Sequence, residues 1–410
     1  MLSAETIATI KQTLPVLESR GETLTSHFYR RMFRANPEVQ AFFNPAHQRS
    51  GTQQRALATA ICAYARHIEN PAALAAAVEL IAHKHASLGV QAAHYPIVGR
   101  HLLGAIQELL ELRDDDPILN AWGQAYEVLA NIFIERESDL YETHRVQHGQ
   151  AGFTPFRVSQ KTAESEVITS FRLTPLHGGK AGPFLAGQYL TVRVPLPEGG
   201  TTMRNYSICS APGSADYRIA VKKEAAPSPG APSGYVSNYL HERISEGDVL
   251  EVGPPCGDFT LRPPATPGQQ LVLISAGVGI TPCLAMLHAA LAEPGKRPTV
   301  FLHAALNSKT HAFREEVCDL ARRHSQLRVH FRYSDPLNDD LEKSRCHSIG
   351  LVDEPLLRSL AGDADAEFYF CGPVPFLNRI NQFLGDRSVP AEHRHYEFFG
   401  PAQVLEAAAV

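Results

Sequence analysis

A chain of 410 residues exceeds one ordinary domain, so two or three are expected. Its 44% hydrophobic and 20% charged residues suit a globular protein with real cores, and a net charge of −5 argues against nucleic acid or an anionic membrane as principal partner. No run approaches the ~18 apolar residues of a membrane span. Glu5, Lys11, Glu18 and Arg20 stand where a signal peptide would be uninterruptedly apolar, so a cytoplasmic monomer without membrane insertion is expected. The seven cysteines (62, 209, 256, 283, 318, 346 and 371) include no CxxC pair, which disfavours a zinc site or a plant-type iron–sulfur cluster.

Residues 1–147 read as helix throughout, with 3.6-type periodicity and few Gly or Pro interruptions. Val78, Ile81, His85 and Leu88 share one face, as do Gln53, Leu57, Ile61 and Tyr64. Ala121 to Tyr141 forms a further helix with Val128, Leu129, Ile132 and Phe133 facing inwards, and Asn36-Pro37, Asn70-Pro71 and Tyr95-Pro96 mark turns. This predicts an all-α domain. The stretch His148 to Gly152 reads as a linker.

A second texture covers residues 151–264: short alternating strands at Val167–Leu173, Tyr189–Val194 and Tyr217–Val221, parted by Gly and Pro clusters. That pattern predicts an antiparallel β-barrel, with Ala226 to Gly234 as a surface loop. Over residues 268–410, apolar runs (Leu271–Ile274, Thr299–Leu302, Phe368–Phe370) alternate with helical segments, which predicts an α/β domain with a parallel sheet.

Gly277-Val278-Gly279 follows the first of those runs and precedes a helix expected to start at Pro282, with Thr281 as its cap. Glycines there let backbone approach a pyrophosphate, and the helix N-terminus supplies donors. The pattern is GxGxxP rather than GxGxxG, and an ordinary strand-to-helix turn fits this loop equally well. Cys371-Gly372-Pro373 supplies a second glycine loop after a strand, with Cys371 open to a second reading as a small buried hydrophobe. No acidic residue follows Leu302-His303 to take a ribose hydroxyl, and Ser308 with Lys309 suits either a 2′-phosphate or a solvated turn, so NADH and NADPH both remain candidates.

In the barrel, Arg204-Asn205-Tyr206-Ser207 has flavin chemistry: Arg pairs a pyrophosphate, Tyr stacks on the ring, and Ser reaches the N5 edge. Gly234-Tyr235-Val236-Ser237 opens a helix whose amides suit the same pyrophosphate. Together these motifs resemble the ferredoxin–NADP⁺ reductase superfamily over residues 155 to 401. The resemblance implies FAD held by Tyr189, Arg204, Asn205, Tyr206, Ser207, Gly234, Val236 and Ser237. It implies the nicotinamide dinucleotide on Gly277, Val278, Gly279, Ile280, Thr281, Pro282, Cys371 and Gly372. Glu397, Phe398, Phe399, Gly400 and Pro401 would close over the flavin, with Glu397 near the hydride path.

In the helical region, His85 offers one axial nitrogen, Phe43 and Leu57 an apolar slot, and Tyr29 with Gln53 a few polar groups opposite, which is what a haem needs. With Lys84-His85-Ala86-Ser87 and Tyr95-Pro96-Ile97-Val98-Gly99, the helical domain is similar to the globins, and the whole chain resembles the flavohaemoglobins of bacteria and yeast. That resemblance makes His85 the proximal iron ligand of haem b and Tyr29 the distal hydrogen-bond donor, with Gln53 beside it. It maps Tyr95 and Glu135 onto a hydrogen-bond chain that would make the imidazole more anionic. Glu135 also reads as a solvated helix charge, Lys84 as either a tuner of the haem potential or a surface residue, and His83 as exposed, about 200° round the helix from His85. Asn205, Ile280 and the Gln150-Ala151-Gly152-Phe153 linker depart from the commoner family residues.

The activity implied is that of a nitric oxide dioxygenase, turning NO and O₂ into nitrate with electrons passed from NAD(P)H through FAD to haem. A flavin reductase for another acceptor, or a haem-based O₂-binding or sensing protein, are the alternative functions. The apolar slot around Leu57 is also suited to a lipid or an azole.

Overall fold

The computed structural model describes residues 2–44, 48–149, 151–226, 228, 230–360 and 365–400. They divide into two compact units, residues 1–152 with 193–203, and residues 153–192 with 204–410.

The first unit is helical. Helix α1 (Ala4–Ala35) starts at Ser3, whose hydroxyl accepts from the Thr6 amide, and ends at Asn36. Helices α2 (Thr52–Arg66), α3 (Ala75–Leu88), α4 (Tyr95–Leu110) and α5 (Pro117–His148) follow. Asn36-Pro37 and Asn70-Pro71 open short 3₁₀ turns. Tyr95-Pro96, by contrast, begins α4 itself, because proline lacks only an amide that the first helical turn leaves unpaired. Gly89 (φ 82°) and Gly149 (φ 76°) end α3 and α5 in the left-handed region that favours glycine.

Ile10, Leu17, Leu24, Phe28, Met32, Ile61, Leu102, Ile106 and Trp122 form the main helical core. Its polar edges are satisfied: the Trp122 indole donates to Thr13 Oγ1 at 3.1 Å, and the Tyr64 hydroxyl to the Ala125 carbonyl at 2.8 Å. A second cluster, Ala82, Ala86, Tyr95, Phe133 and Leu140, lies where α3 meets α5. His85 belongs to that neighbourhood.

The second unit carries two six-stranded sheets, apart from residues 193–203 at the β3–β4 connection. The first comprises β1 (Thr154–Ala163), β2 (Ile168–Pro175), β3 (Tyr189–Pro195), β4 (Thr201–Ser207), β5 (Tyr217–Lys222) and β6 (Val249–Val252), in the order β4-β3-β6-β1-β2-β5. Its registered pairs are antiparallel. An antiparallel bridge between Ile208 and Ile219 joins the two edge strands, so the sheet closes into a barrel. Helix α6 (Tyr235–Arg243) packs beside it.

The second sheet has the order β10-β9-β8-β7-β11-β12 and is parallel throughout. Its strands are β7 (Leu271–Ala276), β8 (Thr299–Ala305), β9 (Leu327–Tyr333), β10 (Ser348–Ile349), β11 (Glu367–Cys371) and β12 (Arg394–Glu397). The connecting helices include α7 (Ile280–Ala292), α8 (Arg314–Arg323), α9 (Asn338–Glu342), α10 (Glu354–Leu360) and α11 (Val374–Asp386). The strand order turns between β7 and β11, where an open α/β sheet leaves a ligand crevice at the carboxyl ends. One apolar cluster spans both sheets, with Ile168, Ala186, Cys209 and Phe259 from the barrel side against Leu273, Leu284, Met286 and Tyr369.

Candidate functional site

Helix α3 presents His85 one turn before its glycine stop. The imidazole Nδ1 lies 2.7 Å from Glu137 Oε1 and 3.1 Å from the Tyr95 hydroxyl, and that hydroxyl donates to the same Oε1 at 2.5 Å. Glu137 is 2% exposed, whereas the His85 side chain is 32% exposed. Nδ1 is therefore engaged and oriented, and Nε2 remains as the nitrogen for an axial bond. Burial first, and then the Glu137 carboxylate, push the Tyr95 phenol far above its ordinary range, so it stays a donor.

The carboxylate in this network is Glu137, not Glu135. Glu135 lies exposed on another face of α5, two residues or about 200° away. The same helix brings Arg136 against Glu79 at 2.6 and 2.7 Å, fixing α5 on α3 beside the network. His83 is likewise buried rather than exposed, with Nε2 3.1 Å from Glu79. Lys84 is exposed.

Tyr29 is 6% exposed in a nest of rings, 4.9 Å from Phe28, 5.6 Å from Phe33 and 5.5 Å from Phe43 between centroids. No hydrogen bond reaches its hydroxyl among the described residues. Burial pushes the phenol upward, so it is a neutral donor aimed at no protein acceptor. Phe43, Leu57, Ile97 and Val98 are only half-buried beside the fully buried core. Gln53 accepts from Gln48 Nε2 at 2.9 Å. One oriented imidazole, a half-open apolar lining and an unpaired phenol fit a haem.

In the barrel, β4 carries Arg204, Asn205 and Tyr206 half-buried and Ser207 buried. Asn205 Oδ1 accepts from Thr191 Oγ1 at 3.1 Å, and burial lowers the Arg204 guanidinium while raising the Tyr206 phenol. Gly234 caps α6 where a Cβ would lie 2.8 Å from Glu224 Cβ, so this approach admits only glycine. Ser237 Oγ donates to the Gly234 carbonyl and accepts from the Glu224 amide, and Val236 is buried. Tyr189 is 8% exposed, its ring against Gly257.

The two glycine loops of the parallel sheet meet back to back. A Cβ on Gly279 would sit 2.3 Å from the Cys371 carbonyl oxygen, and one on Gly372 3.1 Å from Ala276 Cβ. Helix α7 starts at Ile280, earlier than the expected Pro282, with Gly279 at its cap. Thr281 lies inside the first turn and donates back to the Val278 carbonyl at 2.9 Å. Cys371 is fully buried and registers with Glu397 on β12 and Ser275 on β7. Phe398 is half-buried, Phe399 is 50% exposed, Gly400 follows, and Pro401 lies outside the described residues. Lys309 pairs with Glu166 at 3.0 Å, and the Ser308 amide donates to Asp340 Oδ2 at 3.2 Å, so both are already engaged within the protein.

The chain is 45% identical over 408 residues to a flavohemoprotein of Rhodopirellula baltica, covering 99% of this chain and 100% of that one. A flavohemoprotein of Pseudomonas aeruginosa is 46% identical over 410 residues, again covering 99% and 100%. The chain belongs to the flavohemoproteins. The family models for a globin (residues 26–133), an oxidoreductase FAD-binding domain (155–261) and an oxidoreductase NAD-binding domain (273–382) divide this flavohemoprotein as its three textures do. Among solved structures, the flavohemoglobin of Malassezia yamatoensis with bound FAD and haem is similar at a TM-score of 0.84 and 27% identity, covering 97% and 100% of the two chains. The FAD/NAD-binding domain of a Vibrio cholerae nitric oxide dioxygenase is similar at a TM-score of 0.53 and 32% identity, covering 61% and 100%. Membership makes this flavohemoprotein an oxidoreductase with a globin end and a flavin–nucleotide end. No helix among its described residues is long and apolar enough to cross a membrane.

Proposed function

We propose that this protein is an NAD(P)H-dependent nitric oxide dioxygenase that converts NO and O₂ to nitrate and so removes NO. The observation that carries this reading is the buried Glu137 carboxylate on His85 Nδ1. A carboxylate-bonded imidazole is a stronger donor to iron, which suits activation of O₂ over its reversible storage. When bound, haem supplies the iron at which O₂ and NO react, and FAD converts hydride delivery into single-electron steps.

His85 would hold the haem iron through Nε2, with Glu137 and Tyr95 fixing its ring at Nδ1. The Tyr29 O–H would donate to negative charge developing in the ligand space, and no hydrogen bond among the described residues engages it. Phe43 and Leu57 keep that space apolar. Arg204, Tyr206, Ser207 and the α6 amides would hold the flavin, and the Gly277–Pro282 loop with Cys371-Gly372 would take the nicotinamide nucleotide. The test is to supply NADH, O₂ and NO to the haem- and FAD-loaded protein and follow both NADH and nitrate. Nitrate in twofold molar ratio to NADH consumed is expected, since a hydride carries two electrons. NADH consumption that is indifferent to NO, without nitrate, would sink the proposal.

A further inference from the structure

The barrel closes at a seam, and a charged group sits on it. Arg218 on β5 is 8% exposed, next to Ile219, which bridges to Ile208. Its Nη2 donates to the Cys209 carbonyl at 3.0 Å, two residues past the end of the flavin-motif strand β4. Its Nη1 and Nη2 also donate to the two carboxylate oxygens of Glu316, each at 2.8 Å, in a bidentate pair. Glu316 belongs to the other lobe, in the first turn of α8. Its Oε1 is also 2.7 Å from His288 Nε2, on the helix α7 whose N-terminus is the Gly277–Pro282 loop. The Arg218 guanidinium lies 4.9 Å above the Phe313 ring, which covers the pair. Burial works against the Glu316 charge, yet the His288 and Arg218 hydrogen bonds outweigh it and take the carboxyl down to about 2. It is ionised at any working pH.

One carboxylate thus ties Arg218 on β5, which also holds the chain just past the flavin-motif strand β4 through the Cys209 carbonyl, to the helix that carries the nucleotide loop. Other contacts between the two lobes among the described residues include apolar packing, the exposed Glu166–Lys309 pair whose Glu166 amide also donates to the Lys309 carbonyl, and the Arg262 backbone, whose amide donates to the Tyr369 hydroxyl and whose carbonyl accepts from Arg297. Apolar packing tolerates sliding, whereas a bidentate arginine pair fixes direction and register. We infer that Glu316 is a positioning residue for hydride transfer, pinning the nucleotide lobe on the flavin lobe through Arg218 and His288. The inference rests on FAD and nicotinamide nucleotide occupying the two lobes, and it does not depend on what the haem does.

The test uses the full-length protein loaded with FAD and haem. Anaerobic stopped-flow reduction of the flavin is followed with NADH and with NADH deuterated at the transferred position. In Glu316→Gln the limiting rate of flavin reduction should fall between about tenfold and a hundredfold, as displacements of about an ångström do. NADH affinity, FAD content and electron transfer from photoreduced flavin to haem should be unchanged, because the residues for those lie within one lobe or elsewhere. Arg218→Met should slow the same step, and the double variant should be no slower than the worse single one. His288→Gln, which leaves the arginine pair standing, should slow it about threefold and serves if Glu316→Gln does not fold. An unchanged limiting rate and isotope effect in a folded, FAD-replete Glu316→Gln overturns the inference. So does a slowing that merely tracks lost FAD, or an unchanged rate in His288→Gln. Since no arm of the test uses NO, a protein that makes no nitrate but shows this slowing would refute the dioxygenase reading and leave the pin intact.

Discussion

Replacing Glu137 by glutamine removes a charge from the proximal network without changing its shape. Glu137 Oε1 accepts from His85 Nδ1 at 2.7 Å and from the Tyr95 hydroxyl at 2.5 Å, and the glutamine carbonyl can accept both. Hydrogen bonds to a charged group contribute about 1.5–3 kcal/mol against about 1 kcal/mol for neutral partners. The ferric haem carries one more positive charge than the ferrous, so the carboxylate stabilises the ferric form preferentially. Losing about 1–1.4 kcal/mol of that preference raises the midpoint potential by about 40–60 mV, since a tenfold change in a one-electron equilibrium is about 59 mV. Spectroelectrochemical titration of the FAD-replete protein, following the haem bands, measures this directly. Glu135→Gln on the exposed face of α5 is the control and should leave the potential where it was. The reasoning is refuted if Glu137→Gln does not shift the potential, or if Glu135→Gln shifts it as far.

Tyr29→Phe removes a buried hydroxyl that has no hydrogen-bond partner among the described residues, so thermal stability should barely change. Nitrate formation should fall by about a hundredfold, the usual cost of deleting a donor to developing negative charge, and nitrate assays at saturating NADH read this out. Gly279→Ala places a methyl group where only 2.3 Å separates it from the Cys371 carbonyl oxygen. The two nucleotide loops must part, so KM for NADH should rise at least about tenfold while FAD stays bound, as steady-state ferricyanide reduction would show. His303 is fully buried, and burial takes it down to about 3 from 6.5, so the folded protein holds it neutral. Its stabilising contribution is complete above pH ~6.5 and is lost as pH falls toward 3, by up to about 1.4 kcal/mol per pH unit. His303→Gln should flatten that acid limb in urea titrations between pH 6.5 and 4.5; an equally steep limb would contradict the assignment.

Period and punctuation made most of this fold readable. The helical stripe through α1 to α5 and the apolar runs of β7, β8 and β11 reach burial on the pattern read from sequence, whereas β2, β3 and β5, read as alternating strands, are buried almost continuously because both faces of the barrel wall are covered there. Glycine loops were readable because their backbone role is local. The misplaced carboxylate shows where locality ends. On α5, Ala130, Phe133, Glu137, Leu140 and His144 are buried at helical spacing, so Glu137 is a charge inside an apolar stripe while Glu135 lies off it. That interruption was the available signal. His83 failed for a related reason: opposite faces of one helix cannot both be buried by a single neighbour, yet Glu79, held by Arg136, gives His83 a partner of its own. The Arg218–Glu316 pair joins positions 98 residues apart and leaves no local trace at all.

The two ends of the protein treat buried polarity in opposite ways, and the chemistry proposed for each explains why. Beside His85 a full charge is retained, because electron density pushed toward iron is useful there. Around the nucleotide loops burial instead disfavours the charged forms of His303, His311, Cys283 and Cys371, while Glu316 nearby keeps its charge through its own partners. Ser275 Oγ meets His303 Nδ1 at 2.8 Å, the His303 ring lies tilted against His311 at 4.6 Å between centroids, and His311 meets the Tyr333 hydroxyl at 2.8 Å. Cys371 and Cys283 are both fully buried, and desolvation first, with each other and Glu397 adding to it, pushes the Cys371 thiol well up. If the nicotinamide binds at the end of β11 as proposed, a thiolate there would be a nucleophile beside its electrophilic ring. Burial holds the Cys371 thiol well above its ordinary range, so the loop would offer the proposed cofactor shape and backbone donors without a competing nucleophile.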